Sequence, residues 1–293
     1  NFGDKYNKRY PQSRMGVETI MKDGFAEALD NRAEWSDYNS LSRSERDRTV
    51  PPRRDIQHDA LLEILDSRMF IHCHSYVQSE ILMLMRLAEE FGFRIQTFTH
   101  ILEGYKVADE MARHGAGGSA FSDWWAYKFE VYDAIPHNAA LMSRRGVVTS
   151  INSDSGEMGR RLNQEAAKSV MYAGMAEEEA LKMVTINPAL QLKIEDRVGS
   201  LAVGKDADFV IWSANPLSVY ARAEQTWIEG RNYFSLERDS ELREMVRAEK
   251  GALIQKALAS AETDKGGDSG AKWKGLEREW HCDDAIDVWR EGK

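Results

Sequence analysis

The sequence predicts an α/β fold organised around a parallel sheet. Short β-rich runs end near residues 74, 100, 122 and 154, at intervals of 26, 22 and 32 residues (74 to 100, 100 to 122, 122 to 154). Each interval holds a stretch of helical periodicity closed by a glycine: Gly92, Gly115 and Gly146. Such intervals fit successive strand–helix units, and a strand that returns through a helix re-enters its sheet parallel. Four units make half of a closed eight-stranded barrel, or a small open sheet.

The elements follow in order. Residues 1–58 are polar and punctuated by RYPQSR and VPPRRD, with a short helix expected from about Val17 to Ala33. HDALLEILDS reads as an amphipathic helix, and RMFIHC as a buried strand. SEILMLMRLAEEFG is a helix with Gly92 at its C-cap, and FRIQTFTH is the second strand. EGYKVADEMARHG is helical, AGGSAFSD a weaker strand, and IPHNAALMSRRG a helix with Pro136 near its first turn. VVTSINSDS is the fourth strand, and helices are expected over about 160–173 and 177–185. The strand–helix part thus spans 59–196. Residues 197–235 read as a β module: VGSLAVGKDADFVIWS as two short strands around a glycine turn, RAEQTWIEGRNYF as a pair around Glu229–Gly230. Residues 236–293 form a charged helical tail, with ETDKGGDSGAKWKG as a flexible linker.

Composition narrows the function. Of 293 residues, 42% are hydrophobic and 30% charged, as in globular proteins. The net charge of −9 argues against a nucleic-acid-binding face. No apolar run reaches the length of a membrane span. The N-terminus reads neither as a signal peptide nor as a natural start, so the compartment stays open. Cys73 and Cys282 have no paired-ligand spacing, and Cys73 lies within an apolar strand pattern, which suits a buried thiol.

Seven histidines are present. His58, His114, His137 and His281 fall on helices or in the tail and are expected at the surface or at caps. His72, His74 and His100 fall at the C-terminal ends of predicted strands, as does Asp154. That is where parallel α/β folds build active sites. Alternation puts His72 and His74 on one side of the strand and Cys73 on the other. Two imidazoles and a carboxylate converging there suit one divalent metal, zinc by ligand type, that would acidify a water for attack. The alternative is that the histidines are core residues and Asp154 a helix N-cap. In SDWWAYKFEVYD, Trp124, Tyr127 and Lys128 are candidate substrate contacts, offering aromatic faces and a cation. Asn152, Ser153 and Ser155 flank Asp154 and are placed to orient it. Arg160 and Arg161 are either anion-binding or solvated.

FIHCHS, TFTH, INSDS, ALKMVTINPALQL and above all VGSLAVGKDADFVIW resemble the amidohydrolase superfamily, particularly its imidazolonepropionase-like and prolidase-like members. The resemblance covers roughly residues 60–235. It implies the C-terminal half of a TIM-like (β/α)8 metallo-hydrolase barrel, strands five to eight, with a portion of a β-sandwich. It implies that His72 is the metal ligand after the fifth strand, that His100 is a metal ligand or a substrate-contacting histidine after the sixth, that Asp154 is ligand and general base after the eighth, and that His74 contacts substrate or supports a ligand rather than being a primary ligand. It also implies that the first-strand histidine pair and strands one to four lie elsewhere, in the same longer chain or in another chain. Ser75 stands where deaminase-type relatives carry a glutamate, which favours hydrolysis of an amide, a cyclic amide or a dipeptide-like bond. The expected function is metal-dependent cleavage of carbon–nitrogen bonds in a small molecule, with homo-oligomerisation open. The alternative is a catalytically incomplete binding or scaffold module of the same family.

Overall fold

The computed structural model describes residues 10–126 and 128–263, the side chains of 261–263 excepted. It is α/β with a parallel sheet, and it divides into two units, Asn1–Asn152 with Glu165–Lys193, and Ser153–Gln164 with Ile194–Lys293.

The first unit opens with α1 (Arg14–Ser40), α2 (Arg43–Arg46) and α3 (Ile56–Leu65). Helix α1 has 27 residues and exceeds the Val17–Ala33 stretch at both ends. Strong helix formers carry it, and the Ser13 hydroxyl accepts from Gly16 N–H at its start. Its apolar residues are too sparse to give a clear helical period. Phe25 is nevertheless buried, its ring 5.4 Å from Phe91 and 4.7 Å from Phe93.

Then come β1 (Ile71–His74), α4 (Gln78–Phe91), β2 (Ile95–Thr99), α5 (Ala108–His114), β3 (Gly117–Ala120), α6 (Asn138–Arg144) and β4 (Thr149–Ile151). The four strands lie parallel in the order β1-β2-β3-β4, so β1 and β4 are edges. Gly92, Gly115 and Gly146 all have positive φ, and the first two are the C-caps of α4 and α5. His114, expected at the surface or at a cap, is not at the surface. It is 8% exposed, accepts from Ile95 N–H through Nε2 at 3.0 Å, and pairs through Nδ1 with Glu89 at 2.9 Å. It therefore holds the entry to β2. Cys73 is partly buried, and that burial raises the pKa of its thiol despite a contact with the Ser75 hydroxyl.

The sheet has two unlike faces. On the outer face a Cβ on Gly118 would meet Met142 and Met111 of α6 and α5. On the inner face a Cβ on Gly117 would meet Gln191 and Thr97. Gln191 comes from α10 (Ile186–Leu192), which follows α7 (Gly156–Gly159), α8 (Leu162–Ala173) and α9 (Glu177–Lys182). Gln191 accepts from Ser150 Oγ at 2.6 Å and donates to the carbonyls of Gly118 (3.2 Å) and Val148 (2.8 Å). It thus closes the inner face beneath β3 and β4. Gln191→Leu would leave the buried Ser150 hydroxyl without its acceptor and take one donor each from the carbonyls of Gly118 and Val148, the latter still accepting from Gly118 N–H. We expect a loss of about 2 kcal/mol in urea unfolding, since a buried orphaned hydroxyl costs roughly 1–3 kcal/mol; unchanged stability would remove Gln191 from this role.

The second unit contains an antiparallel sheet of β5 (Phe209–Trp212), β6 (Ala223–Ile228) and β7 (Arg231–Ser235), then α11 (Leu236–Thr263). Glu229 and Gly230 both have positive φ, as the tight turn between β6 and β7 requires. The expected strand around Leu201–Val203 is absent. Both side chains are exposed, and the segment is a loop closed by Asp206 N–H to Arg197 O and an Arg197–Asp206 ion pair. The apolar run has no partner strand among the described residues. The linker expected at ETDKGGDSGAKWKG falls outside the described residues, apart from its first two.

Candidate active site

The candidate site is built on the inner face at the C-terminal end of the sheet. In register, His72 pairs with Thr97 and His74 with Thr99, then Thr99 with Ser119 and Ser119 with Ser150. The inner face is covered at β3 and β4, where Ser119 and Ser150 are buried, and open at β1, where His72 and His74 are exposed. Both imidazoles therefore stand on one side of an edge strand, as alternation requires.

His100 is the departure from regular geometry. With Thr97 and Thr99 facing inward, the next side chain in an extended strand would face the helices. His100 instead has φ +55, in the left-handed region that non-glycine residues enter rarely and often at functional sites. That turn lays its ring beside inner-face residues. Its centroid is 4.4 Å from His74, edge to face, and 4.8 Å from Phe121. Asn152, two residues after Ser150 and on the same face, brings its amide 3.5 Å from His100 Nδ1.

The backbone on either side of this turn is tied down. Thr99 O accepts from Ser75 N–H, and Ile101 N–H donates to Ser119 O. Ile101 O accepts from the buried Asn138 amide at 2.6 Å, and Asn138 Oδ1 accepts in turn from Tyr105 N–H at 2.9 Å. A strained residue persists where its surroundings over-determine it.

An arc of rings extends from this centre. Tyr76 lies 4.9 Å from His74, and Trp124 stacks on Phe121 at 4.6 Å. The Lys128 ammonium sits 4.0 Å from the Tyr76 centroid, a cation–π distance. Trp124 also packs against the buried cluster of Leu102, Phe121 and Val131, so it serves the core as well as the arc. Trp125 is exposed. Tyr127 lies outside the described residues. Ser122, Asp123, Glu165 and Lys168 form a polar cluster that includes the two residues before Trp124, with Lys168 Nζ 2.9 Å from Asp123 and 3.0 Å from Glu165. No spacing in the sequence marked that cluster.

Asp154 is exposed and belongs to the other unit, at the start of 153–164. It is not the cap of α7; Ser155 is, its hydroxyl accepting from Met158 N–H. Ser153 Oγ accepts from Ser155 N–H. Asn152 serves His100 by the contact above. Arg160 and Arg161 both pair with Glu157, as solvated helix residues do.

His72, His74 and His100 are the right ligand type for a metal, but among the described residues no group of three or more His, Cys, Asp or Glu side chains is close enough to hold an ion. The described residues do not complete a donor set. No helix among them is long and apolar enough to cross a membrane.

Comparison with known proteins supplies the relatives. A model of the Amidohydrolase family matches residues 133–244. The chain is 28% identical over 233 residues to amidohydrolase tasK of Hapsidospora irregularis, covering 76% of this chain and 23% of that protein. It is 30% identical over 122 residues to an imidazolonepropionase of Thermoplasma volcanium, covering 41% of this chain and 30% of that one. Among solved structures, an amidohydrolase from Thermotoga maritima superposes with a TM-score of 0.67 at 27% identity, over 77% of this chain and 57% of that chain. The chain therefore spans less than a third of these two curated relatives and little more than half of the solved one.

Proposed function

We propose that this chain, which belongs to the amidohydrolase superfamily, carries part of the active site of a hydrolase that cleaves carbon–nitrogen bonds in a small-molecule amide. The observation that carries this reading is the left-handed turn at His100. It commits a strained, clamped imidazole to the face already bearing His72 and His74, at the end of a parallel sheet where such folds react. Residues 59–196 are then strands five to eight of a (β/α)8 barrel with their helices, 197–235 part of a β-sandwich, and 236–293 an appended tail. In this reading further strands, from the same gene product or from a second chain, lie against β1; its place at the sheet edge and its exposed His72 and His74 support that.

In this reading Asp154 accepts the proton of the attacking water and delivers it to the departing nitrogen. His100 holds the metal or polarises the carbonyl, and His74 flanks it. Trp124 and Lys128 contact the rest of the substrate through a π face and a charge. His72, His100 and Asp154 are the donors this chain would contribute to one divalent metal, zinc by ligand type. Such an ion, when bound, supplies Lewis acidity to the carbonyl and lowers the pKa of water towards about 7.

The test uses the full gene product with a panel of N-acyl amino acids, cyclic amides and dipeptides, following release of the amine, alongside elemental analysis for zinc. His100→Phe retains a ring between His74 and Phe121 but no nitrogen. We expect turnover of at least one panel member, lowered by about 100-fold or more in His100→Phe. Full activity in that variant would overturn the role of His100. Absence of all amide hydrolysis would overturn the reading in favour of a scaffold module, and activity without bound metal would overturn the metal part.

A further inference from the structure

We infer that Thr49 is a phosphorylation site, presented by the exposed loop between α2 and α3 to an arginine-directed protein kinase. The inference uses no residue of the candidate active site and does not rest on the enzymatic reading. Three observations support it.

The first is charge. Residues 43–54 carry five arginines (Arg43, Arg46, Arg48, Arg53, Arg54) against two acids (Glu45, Asp47), a balance of +3 in a chain of net −9. Arg54 pairs with Asp59, and the Glu45 carboxylate is committed to Ser42 N–H in the cap of α2. Arg46, Arg48 and Arg53 are exposed and make no ion pair among the described residues. Guanidinium groups left open in this way suit a partner whose groove is lined with carboxylates, as that of an arginine-directed kinase is.

The second is selection. Such kinases read an arginine placed three residues before the acceptor hydroxyl, a spacing this sequence contains at Thr49, Thr97 and Ser200. The fold separates the three. Thr97 is 1% exposed within β2. The Ser200 hydroxyl accepts from Lys205 at 2.8 Å, and Arg197 before it is neutralised by Asp206 at 2.8 Å. Thr49 alone joins an exposed side chain to an unpaired arginine, Arg46, with a second, Arg48, just before it.

The third is presentation. Residues 47–55 lie between α2 and α3 outside any helix or strand, and Val50, next to the acceptor, is 88% exposed. Pro51 and Pro52 fix their own φ and hold the preceding residue out of the helical region, so the chain leaves Thr49 extended, as a kinase groove requires. Thr49 Oγ1 donates to Glu45 O at 2.8 Å and its N–H to Arg46 O at 3.1 Å, both on the exposed end of α2, where water can replace them. In the transfer, Oγ1 bonds to the γ-phosphorus of a nucleoside triphosphate, the bond to the departing diphosphate breaks, and the hydroxyl proton passes to the carboxylate base of the kinase. The product ester oxygen has no hydrogen left for Glu45 O. Its phosphate brings a charge of about −2, which lowers the local balance from +3 to about +1 and supplies the unpaired arginines with an anion.

The test incubates the folded full gene product with magnesium ATP and the catalytic subunit of cyclic-AMP-dependent protein kinase, an arginine-directed probe, and locates phosphate by peptide mass spectrometry. We expect about one phosphate per chain within residues 43–54, on Thr49. Thr49→Val, which keeps the shape of the side chain without its hydroxyl, should lose that phosphate, and Thr49→Ser should regain it. Arg46→Gln should slow its incorporation about 10-fold or more, the cost of one charge-assisted contact to the kinase. Phosphate on Thr97 or Ser200 in place of Thr49 would overturn the inference, as would incorporation below about a tenth per chain. An unchanged rate in Arg46→Gln would overturn it too. A synthetic peptide of residues 43–54 serves as control: phosphorylation of the peptide but not of the folded protein would show that the fold withholds the loop, and that also overturns the inference. The readout is independent of amide hydrolysis, so a protein without turnover that is phosphorylated in this way retains the inference and loses only the enzymatic reading.

Discussion

Asp154→Asn is expected to lower kcat by about 10²–10⁴-fold, the range a positioned general base contributes. KM should change by only a few-fold. The substitution retains size and hydrogen-bonding capacity, and it removes the one property the proposed role needs, a lone pair basic enough to take a proton from water. Three observations keep the expected result clean. Asp154 is exposed, so no buried charge is lost with it. It does not cap α7, since the hydroxyl of Ser155 does that. In the turn around it Ser153 Oγ accepts from Ser155 N–H. Asp154→Asn should therefore melt within about 0.5 kcal/mol of the unsubstituted protein, as surface changes do. The measurement is steady-state hydrolysis of whichever panel amide is turned over, with thermal unfolding as control. Turnover within ten-fold of normal would remove Asp154 as the base. A loss confined to KM would make it a substrate contact.

The sheet was legible because its signal is local and repeated. Strands expected to end near 74, 100, 122 and 154 end at His74, Thr99, Ala120 and Ile151, and each intervening helix stops at or next to a glycine in the left-handed region. The positions of His72 and His74 follow from alternation alone. His100 was legible as a candidate but not as a geometry. Strand periodicity would point it away from the inner face, and only the backbone turn reverses that. No residue pattern near TFTH announces the turn, because its cause is distant: Asn138 on α6 and Ser119 on β3 hold the neighbouring peptide groups. Gln191 was hidden for the same reason, since its partners are carbonyls and a serine 41 or more residues away. The surface expectation for His114 failed because its partners, Ile95 N–H and Glu89, meet it only once the strand is in place. The missing strand at Leu201–Val203 is the converse case. Its β-prone sequence is real, but a strand exists only against a partner.

Lys168→Met is expected to destabilise the protein by about 3 kcal/mol. Lys168 sits between two carboxylates, Asp123 Oδ1 at 2.9 Å and Glu165 Oε2 at 3.0 Å. The Ser122 hydroxyl touches both, and its single proton serves one at a time. The group carries a net charge of −1 with lysine and −2 with methionine, on a Glu165 that is 6% exposed. Removing one partner of a buried pair typically costs 3–5 kcal/mol; partial exposure of Lys168 and Asp123 places this case at the lower end. The pH dependence follows from the lysine. Burial lowers its pKa, but the hydrogen bonds it donates to Asp123 and Glu165 outweigh burial and hold it above the usual 10.5. A raised folded-state pKa means the stabilisation is complete below pH 10.5 and is lost as pH rises through the higher folded value. Urea unfolding should show a constant gap between Lys168→Met and the unsubstituted protein from neutral pH up to that point, narrowing only above it. Lys168→Met with Glu165→Gln should recover part of the loss, because the carboxylate left without its cation is then neutral. The same cluster fixes the loop that stacks Trp124 on Phe121, and Phe121 in turn packs on His100. The single variant should therefore also raise KM for any substrate that uses that ring. A gap under about 0.5 kcal/mol at neutral pH would show that solvent already screens the cluster. A gap that widens above pH 10.5 would reverse the sign argued here.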